Sequence, residues 1–432
     1  MLLKKDYHIL DDLPFNLKHT SKHPVITNIV KDIWSDLSID KSIKVSLKQK
    51  CLVSTLLNLW ISMNTRYYIR YSRRKVYYAG IPKRYRVDYY TYNIMVGIMD
   101  SFSSLGLIES EKGFYNPEQD YGQLTKIKPT DLAVSMLQNI KPVYVEDIRP
   151  PEFVILKNRE TKTKIDYQDT KEIIQMRNEL TDYNDLRQST TFALKNVTIG
   201  EAVTHNRFFK LFGITSSTDE WTIRNPYIYR VFNNDFQHGG RYYSGIESQM
   251  PKELRAKLTI NGSPTVELDF GSMHIRILYQ LENKRISGNV YEQLSDGNPL
   301  LRGLYKLIAL VSINSTTLKK TLEGLRSDIL TRHRELLVLF NKVTDEEILG
   351  YFNRWKKAHK PIAKYFNSDI GVKLQNYDSQ IAAGVIRHFT SKGVPVLVVH
   401  DSFVIEDKYK EDLKDIMNSK YLNIIHHKPI IK

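Results

Sequence analysis

Near the carboxyl end, the stretch VPVLVVHDSFVIED sets one apolar run, Val394 to Val399, and a second beginning at Phe403 on either side of His400 and Asp401. Two apolar runs this short, divided by two polar residues, close most simply as an antiparallel hairpin with the aspartate at its tip. Further up the chain, VELDFGSMHIRILYQL uses the same device in another form. TVELDF has the β-branched, apolar character of a strand, Ser272 stands where a helix would be capped, and Ile275, Leu278 and Leu281 fall on one helical face. Asp269 then ends a strand, as Asp401 does. An ionised side chain in an apolar setting is costly unless something pairs with it. Two aspartates at strand ends suit Mg²⁺, which takes only one or two protein carboxylates and keeps its waters and substrate oxygens, so a pair of ions would supply the missing counter-charge.

Between the aspartates lies PLLRGLYKLIALVSIN, in which Arg302 and Lys306 are four residues apart on an expected helix and share a face. Such cations can hold a triphosphate, the arginine as a fork and the lysine as a point charge; the same spacing also describes an ordinary solvated face. From about residue 200 onward strands and helices mix without the regular alternation of a doubly wound sheet, which predicts an α+β domain.

The whole chain has 432 residues, enough for two or three domains. Lys and Arg number 63 against 48 Asp and Glu, a formal net charge of +15, and there are 27 tyrosines. That balance favours a polyanionic partner, because clustered cations release counterions when they meet a phosphate backbone. No apolar run approaches the roughly 20 residues of a spanning helix, and MLLKKDYHILDDLPF lacks the apolar core of a secretory signal. The single cysteine, Cys51, excludes an internal disulfide and a cysteine-rich zinc site. The expectation is a cytoplasmic protein of the reducing interior, with no membrane partner.

In the amino-terminal part, residues 46 to 63 and 90 to 108 carry apolar residues at helical spacing, the second ending in a glycine-containing stop. Between them TRYYIRYSRRKVYYAGIPKRYR interleaves Arg73, Arg74, Lys75 and further cations with tyrosines, which suits phosphates and base stacking together or, equally, a solvated basic face. LIESEKGFYNPEQDYGQLTKIKPTDLAVSML reads as a hairpin with a polar tip followed by a helix. Helices followed by a hairpin resemble a winged helix-turn-helix. Residues 141 to 165 read as a linker, and 166 to 200 as a polar helix too poor in apolar residues for a central core element. The expected layout is a mainly helical, basic, winged-helix-like domain over 1–140, a linker and thumb-like helical arm over 141–200, and a catalytic domain over 201–432.

Strand-Asp-helix, then a helix with Arg and Lys, then a hairpin carrying His-Asp resembles, in that order, motifs A, B and C of family A DNA polymerases and the related single-subunit, T7-like RNA polymerases. LDFGSMHIRILYQL is similar to the family's motif A, usually written DYSQIELR, and VVHDSF to motif C. HGGRYYSGIESQMPKELR is similar to the stretch leading into motif A, and LQNYDSQIAAGVIRHFTSKG to the glutamine-containing helix before motif C. The resemblance covers about residues 230 to 415 and implies a right-hand palm and fingers with an antiparallel palm sheet. It implies that Asp269 and Asp401, with the Phe270 carbonyl, bind two Mg²⁺ or Mn²⁺ ions. Arg302 and Lys306 would grip the incoming dNTP or NTP, with Lys306 a candidate proton donor to pyrophosphate. Arg241, Gln380 and His400 match positions that touch the primer terminus or the minor groove near it, on a DNA template and primer.

The departures carry information as well. Leu310 and Asn314 stand where motif B has an aromatic residue and a Tyr-Gly pair, His274 stands where the DNA enzymes have the glutamate that rejects ribonucleotides, and Ser402 gives the His-Asp-Ser of the RNA polymerases. Asp235 lies further upstream than the RNA polymerases' Asp-x-x-Gly-Arg element allows. These point to relaxed sugar selection and primase-like activity, in a compact enzyme of replication or priming for a plasmid, phage or other mobile element, with a helicase or small accessory protein as a possible partner. The rivals are a DNA-binding replication initiator or regulator whose polymerase-like domain is degenerate, and a two-metal nuclease, since strand-end aspartates serve hydrolysis equally well.

Overall fold

The computed structural model describes residues 12–116, 118, 121–205, 208–209, 215–217, 220–223 and 225–432. It is a mixed α+β chain that divides into two compact units. The first comprises residues 1–155, 164–229 and 244–265, and the second 156–163, 230–243 and 266–432. Among the described residues no helix is long and apolar enough to cross a membrane.

The first unit is built on the helix Val45–Thr65, which is apolar nearly all round its middle turns and accordingly buried on all sides there. It stops at Arg66, whose left-handed backbone lets its N–H donate to the Ser62 carbonyl. The helix Tyr92–Ser104 buries Ile94, Met95, Ile98, Met99 and Phe102, and ends before Gly106 at a φ of +65°. The expected hairpin forms: Ile108–Glu111 pairs antiparallel with Thr125–Pro129, in a sheet completed by Tyr68–Tyr71 and Asp12–Pro14. The tip residues Pro117, Gln119 and Asp120, and the first eleven residues of the chain, lie outside the described residues. The helix Asp131–Leu137 follows, capped by the Thr130 hydroxyl.

Two segments differ from their reading in the sequence. Within the stretch read as linker, Val154–Lys157 is a strand with Val154, Ile155 and Leu156 buried; its four residues are too few to stand out between Pro150-Pro151 and the charged run after it. The polar helix forms as Lys171–Gln188, capped by Thr170, and it is packed rather than solvated: Leu180, Tyr183 and Arg187 are buried, and Arg187 forms an ion pair with the equally buried Glu247 at 3.0 Å. A buried arginine counts as surface in an apolar-periodicity reading, which is why the face looked sparse.

In the second unit the end of the strand Ser263–Asp269 runs beside Ser402–Glu406, which pairs in turn with Leu397–Val399. The helices Met273–Leu281, Gly371–Thr390 and Lys410–Ile425 pack together, and Pro299–Asn314, Leu318–Thr331 and Asp345–Ala358 form a further helical cluster. The long strand Asp235–Tyr243 lies along Gly371–Thr390, and the approach is close. Gly240 has a φ of +91°, and a Cβ there would meet the Phe232 ring at 2.6 Å and Ser379 Oγ at 2.8 Å. Only glycine fits that position. It allows the next residue, Arg241, to reach the helix.

Candidate active site

Asp269 ends its strand next to the hairpin turn that carries Asp401. The Phe270 N–H donates to the Asp401 carbonyl at 3.2 Å, and the buried Phe270 ring packs against Phe403 and Tyr421. On the other side the last residues of the sequence pair with the same segment: Asp269 and Lys432 exchange backbone hydrogen bonds at 3.0 and 2.9 Å, and the Gly271 N–H donates to the Ile430 carbonyl at 2.8 Å. The backbone that presents Asp269 is therefore held from both edges. Sequence reasoning missed this tail, because HHKPIIK is too short for periodicity to register.

The tip is as expected: Leu397–Val399 and Ser402–Glu406 pair in register, with an exposed His400 in left-handed backbone and Asp401 between them. Burial pushes the Asp269 carboxyl up to about 6, and the charges of Asp401 and Glu267 add to it, while Lys306 and Lys432 pull the other way. Glu267 is two residues before Asp269 on the same strand face, and it accepts a hydrogen bond from Ser402 Oγ at 2.7 Å. That bond gives Ser402 a local role. Among the described residues no group of three or more His, Cys, Asp or Glu side chains converges to hold a metal ion. The donor set is two carboxylates that repel each other, and that fits a hard divalent ion completing its shell with water and phosphate oxygens.

The helix Pro299–Asn314 starts at Asn298, whose side chain accepts from the Leu300 and Leu301 N–H groups. Leu304, Leu307, Ile308 and Ala309 are buried, so Arg302, Lys306 and Leu310 share the outward face. Arg302 lies over the Tyr291 ring at 5.9 Å, with Glu292 3.8 Å away. Lys306 is exposed, and its charge acts on Asp269. Leu310, at the position where the resemblance to motif B calls for an aromatic residue, is 54% exposed, and the Asn314 amide is turned back onto the Leu310 carbonyl. In the preceding helix Ile275 and Leu278 are buried, whereas Leu281 is 40% exposed, past the point where the helix leaves the core. Ser272 is the residue before that helix, in left-handed backbone, and makes no side-chain cap.

Arg241 and His274 meet at a residue that sequence reasoning missed. Asp378, on Gly371–Thr390, accepts from Arg241 Nε at 2.9 Å and from its Nη2, and lies 3.0 Å from His274 Nε2. Its side chain is 1% exposed. Burial works against the Arg241 charge, but Asp378 more than offsets it, and Asp401 contributes in the same direction. Gln380 is exposed on the same helix and donates to Asn376 Oδ1 at 2.6 Å. Asp235 pairs locally with His238 at 2.7 Å.

Arg73, Arg74 and Lys75 belong to the first unit. There the basic insert is more internally paired than its composition suggests. Arg73 grips both Asp100 oxygens at 2.7 and 3.1 Å, Arg70 pairs with Asp12, and Arg84 binds Asp166 and Asp169 with its guanidinium over the Tyr167 ring at 3.7 Å. Arg74 lies over Tyr115 at 5.4 Å, and both Arg74 and Lys75 are exposed.

No family model matches the chain, and no curated protein matches it. Among solved structures it is similar to the POL domain of Pol1 from M. smegmatis, described in complex with DNA primer-template and dNTP. The two share 12% sequence identity over 64% of this chain and 56% of that one, with a TM-score of 0.30. The match thus spans little more than half of that chain's length.

Proposed function

We propose that the protein is a template-directed nucleotidyltransferase, with the second unit as palm and fingers and the first as a basic, winged-helix-like module that binds nucleic acid. The observation that carries this reading is the carboxylate pair Asp269 and Asp401, set edge to edge by the Phe270–Asp401 backbone bond, with Lys306 acting on Asp269 from a helix that also presents Arg302. Such a pair of cations suits a triphosphate better than the single phosphodiester a nuclease attacks.

In this reading Asp269 and Asp401 hold two Mg²⁺ or Mn²⁺ ions, which when bound favour ionisation of the primer 3'-hydroxyl and offset charge on the reacting phosphates. Asp269 holds its proton up to about pH 6 in their absence, so ion binding competes with protonation and weakens as the solution is acidified. Arg302, steadied over Tyr291, forks onto the non-reacting phosphates, and Lys306 offers a mobile point charge and a proton to the departing pyrophosphate. Arg241, whose charge Asp401 favours, would face the primer terminus.

The test is incorporation on primed and unprimed single-stranded templates with Mg²⁺ or Mn²⁺ and either deoxy- or ribonucleotides. Activity lost in both Asp269→Ala and Asp401→Ala supports the reading; no incorporation by the wild type under any metal sinks it. One observation favours the rival of a non-catalytic replication initiator, namely that Leu310 faces solvent where a base would need an aromatic platform. Template binding without incorporation is the result that rival predicts.

A further inference from the structure

We propose that Asp378 is a positioning residue that sets sugar discrimination, by fixing the ring of His274 beside Arg241. The proposal deepens the nucleotidyltransferase reading above and rests on it. Three separated elements meet at this carboxylate: Arg241 from the strand Asp235–Tyr243, His274 from the first turn of Met273–Leu281, and Asp378 itself from Gly371–Thr390. An aspartate with 1% of its side chain exposed cannot be a solvated surface charge. Arg241 supplies its counter-ion through Nε and Nη2, and His274 Nε2 stands 3.0 Å from Oδ2.

The carboxylate fixes which ring nitrogen donates. An ionised carboxylate only accepts, so His274 donates from Nε2. The 3.3 Å approach of Arg241 Nη2 to the same nitrogen then sets two donors side by side and is not a hydrogen bond; the guanidinium proton goes to Asp378. A neutral imidazole with its proton on Nε2 carries a lone pair on Nδ1. His274 is five residues past Asp269, on the helix that follows it, and keeps 18% of its side chain exposed; in the proposal this lone pair is the acceptor offered to the nucleotide sugar. A ribose 2'-hydroxyl can donate to it and a deoxyribose has no such group. Held by Asp378, His274 favours the ribonucleotide; released, its ring can turn or change tautomer and the preference is lost.

The experiment measures kcat/KM for single-nucleotide incorporation of an NTP and the matching dNTP on a primed template at pH 8. It compares wild type, Asp378→Asn, His274→Ala and the double variant. Asparagine keeps the volume but offers one acceptor for two donors, and the arginine takes it. The ribo-to-deoxy ratio is expected to fall about tenfold in each single variant, the size of one hydrogen bond, and no further in the double, because both changes remove the same interaction. Should Asp378→Asn fail to fold by circular dichroism, Arg241→Met with Asp378→Leu removes both charges and leaves His274 Nε2 no acceptor at position 378, and it is read in its place, with the same fall expected. An unchanged ratio in an active variant, or falls that add in the double, overturns the proposal alone. A wild type that incorporates neither sugar overturns the nucleotidyltransferase reading and this proposal with it.

Discussion

Replacing Asp269 by asparagine should make the metal-free protein more stable at pH 7.5 while abolishing its activity. In the folded chain burial, Asp401 and Glu267 together raise the Asp269 carboxyl from 3.8 to about 6. The folded state thus binds this proton more tightly than the unfolded state does. That contribution to stability is full below about pH 4 and is lost as the pH rises through 6, where the ionised pair begins to burden the fold. A rise of that size corresponds to about 3 kcal/mol. The carboxylate is partly exposed and screened, which brings the working figure to about 1–2 kcal/mol. Asparagine keeps the shape and removes the charge, so Asp269→Asn should gain about 1–2 kcal/mol over wild type at pH 7.5 and little or nothing near pH 4.5, read by urea denaturation at each pH. Millimolar Mg²⁺ should close the gap at pH 7.5, stabilising wild type by about 1.4 kcal/mol once the ion is at ten times its Kd and the variant much less. A variant no more stable than wild type at pH 7.5, or a gain that persists at pH 4.5, would refute the electrostatic account of this pair.

Lys306→Ala should lower kcat/KM for the triphosphate about 10- to 100-fold and, by removing a cation that lowers the Asp269 carboxyl, move the acid limb of the pH–rate profile to higher pH; a limb that stays in place separates Lys306 from Asp269. In the basic insert, Arg74→Ala with Lys75→Ala should weaken nucleic-acid binding and reduce its salt slope by about 1 for each phosphate that is no longer neutralised. Arg73→Ala should do less, since Asp100 already occupies that guanidinium; a slope reduction of about 1 for Arg73→Ala alone would show that the ion pair opens on binding.

The strands and helices that present Asp269, Asp401, Arg302 and Lys306 were legible because each rests on a local pattern: an apolar run, a two-residue turn, a spacing of four. What stayed hidden was set by partners distant in sequence. Val154–Lys157 becomes a strand because of what covers it, and the helix Lys171–Gln188 enters the core through an arginine whose partner, Glu247, is 60 residues away. The amphipathic pattern predicted a buried Leu281 because it cannot tell where a helix leaves the core.

Asp378 shows the same limit at the site itself, and also a signal that could have been used. Leu374, Ile381, Ala382 and Val385 are buried along one face of Gly371–Thr390, and Asp378 falls on that face at helical spacing. A carboxylate in a core position requires a cation, so the sequence does state that Asp378 is paired inside the fold. It cannot say with what, because Arg241 is 137 residues and His274 104 residues away. Gly240 is the link between the two levels. The close approach that only a glycine permits brings the strand against the helix, and the next residue along that strand is the arginine that neutralises Asp378. The His274 ring is oriented by a carboxylate whose own burial depends on Arg241, so positions 241, 274 and 378 constrain one another and should tolerate change only together.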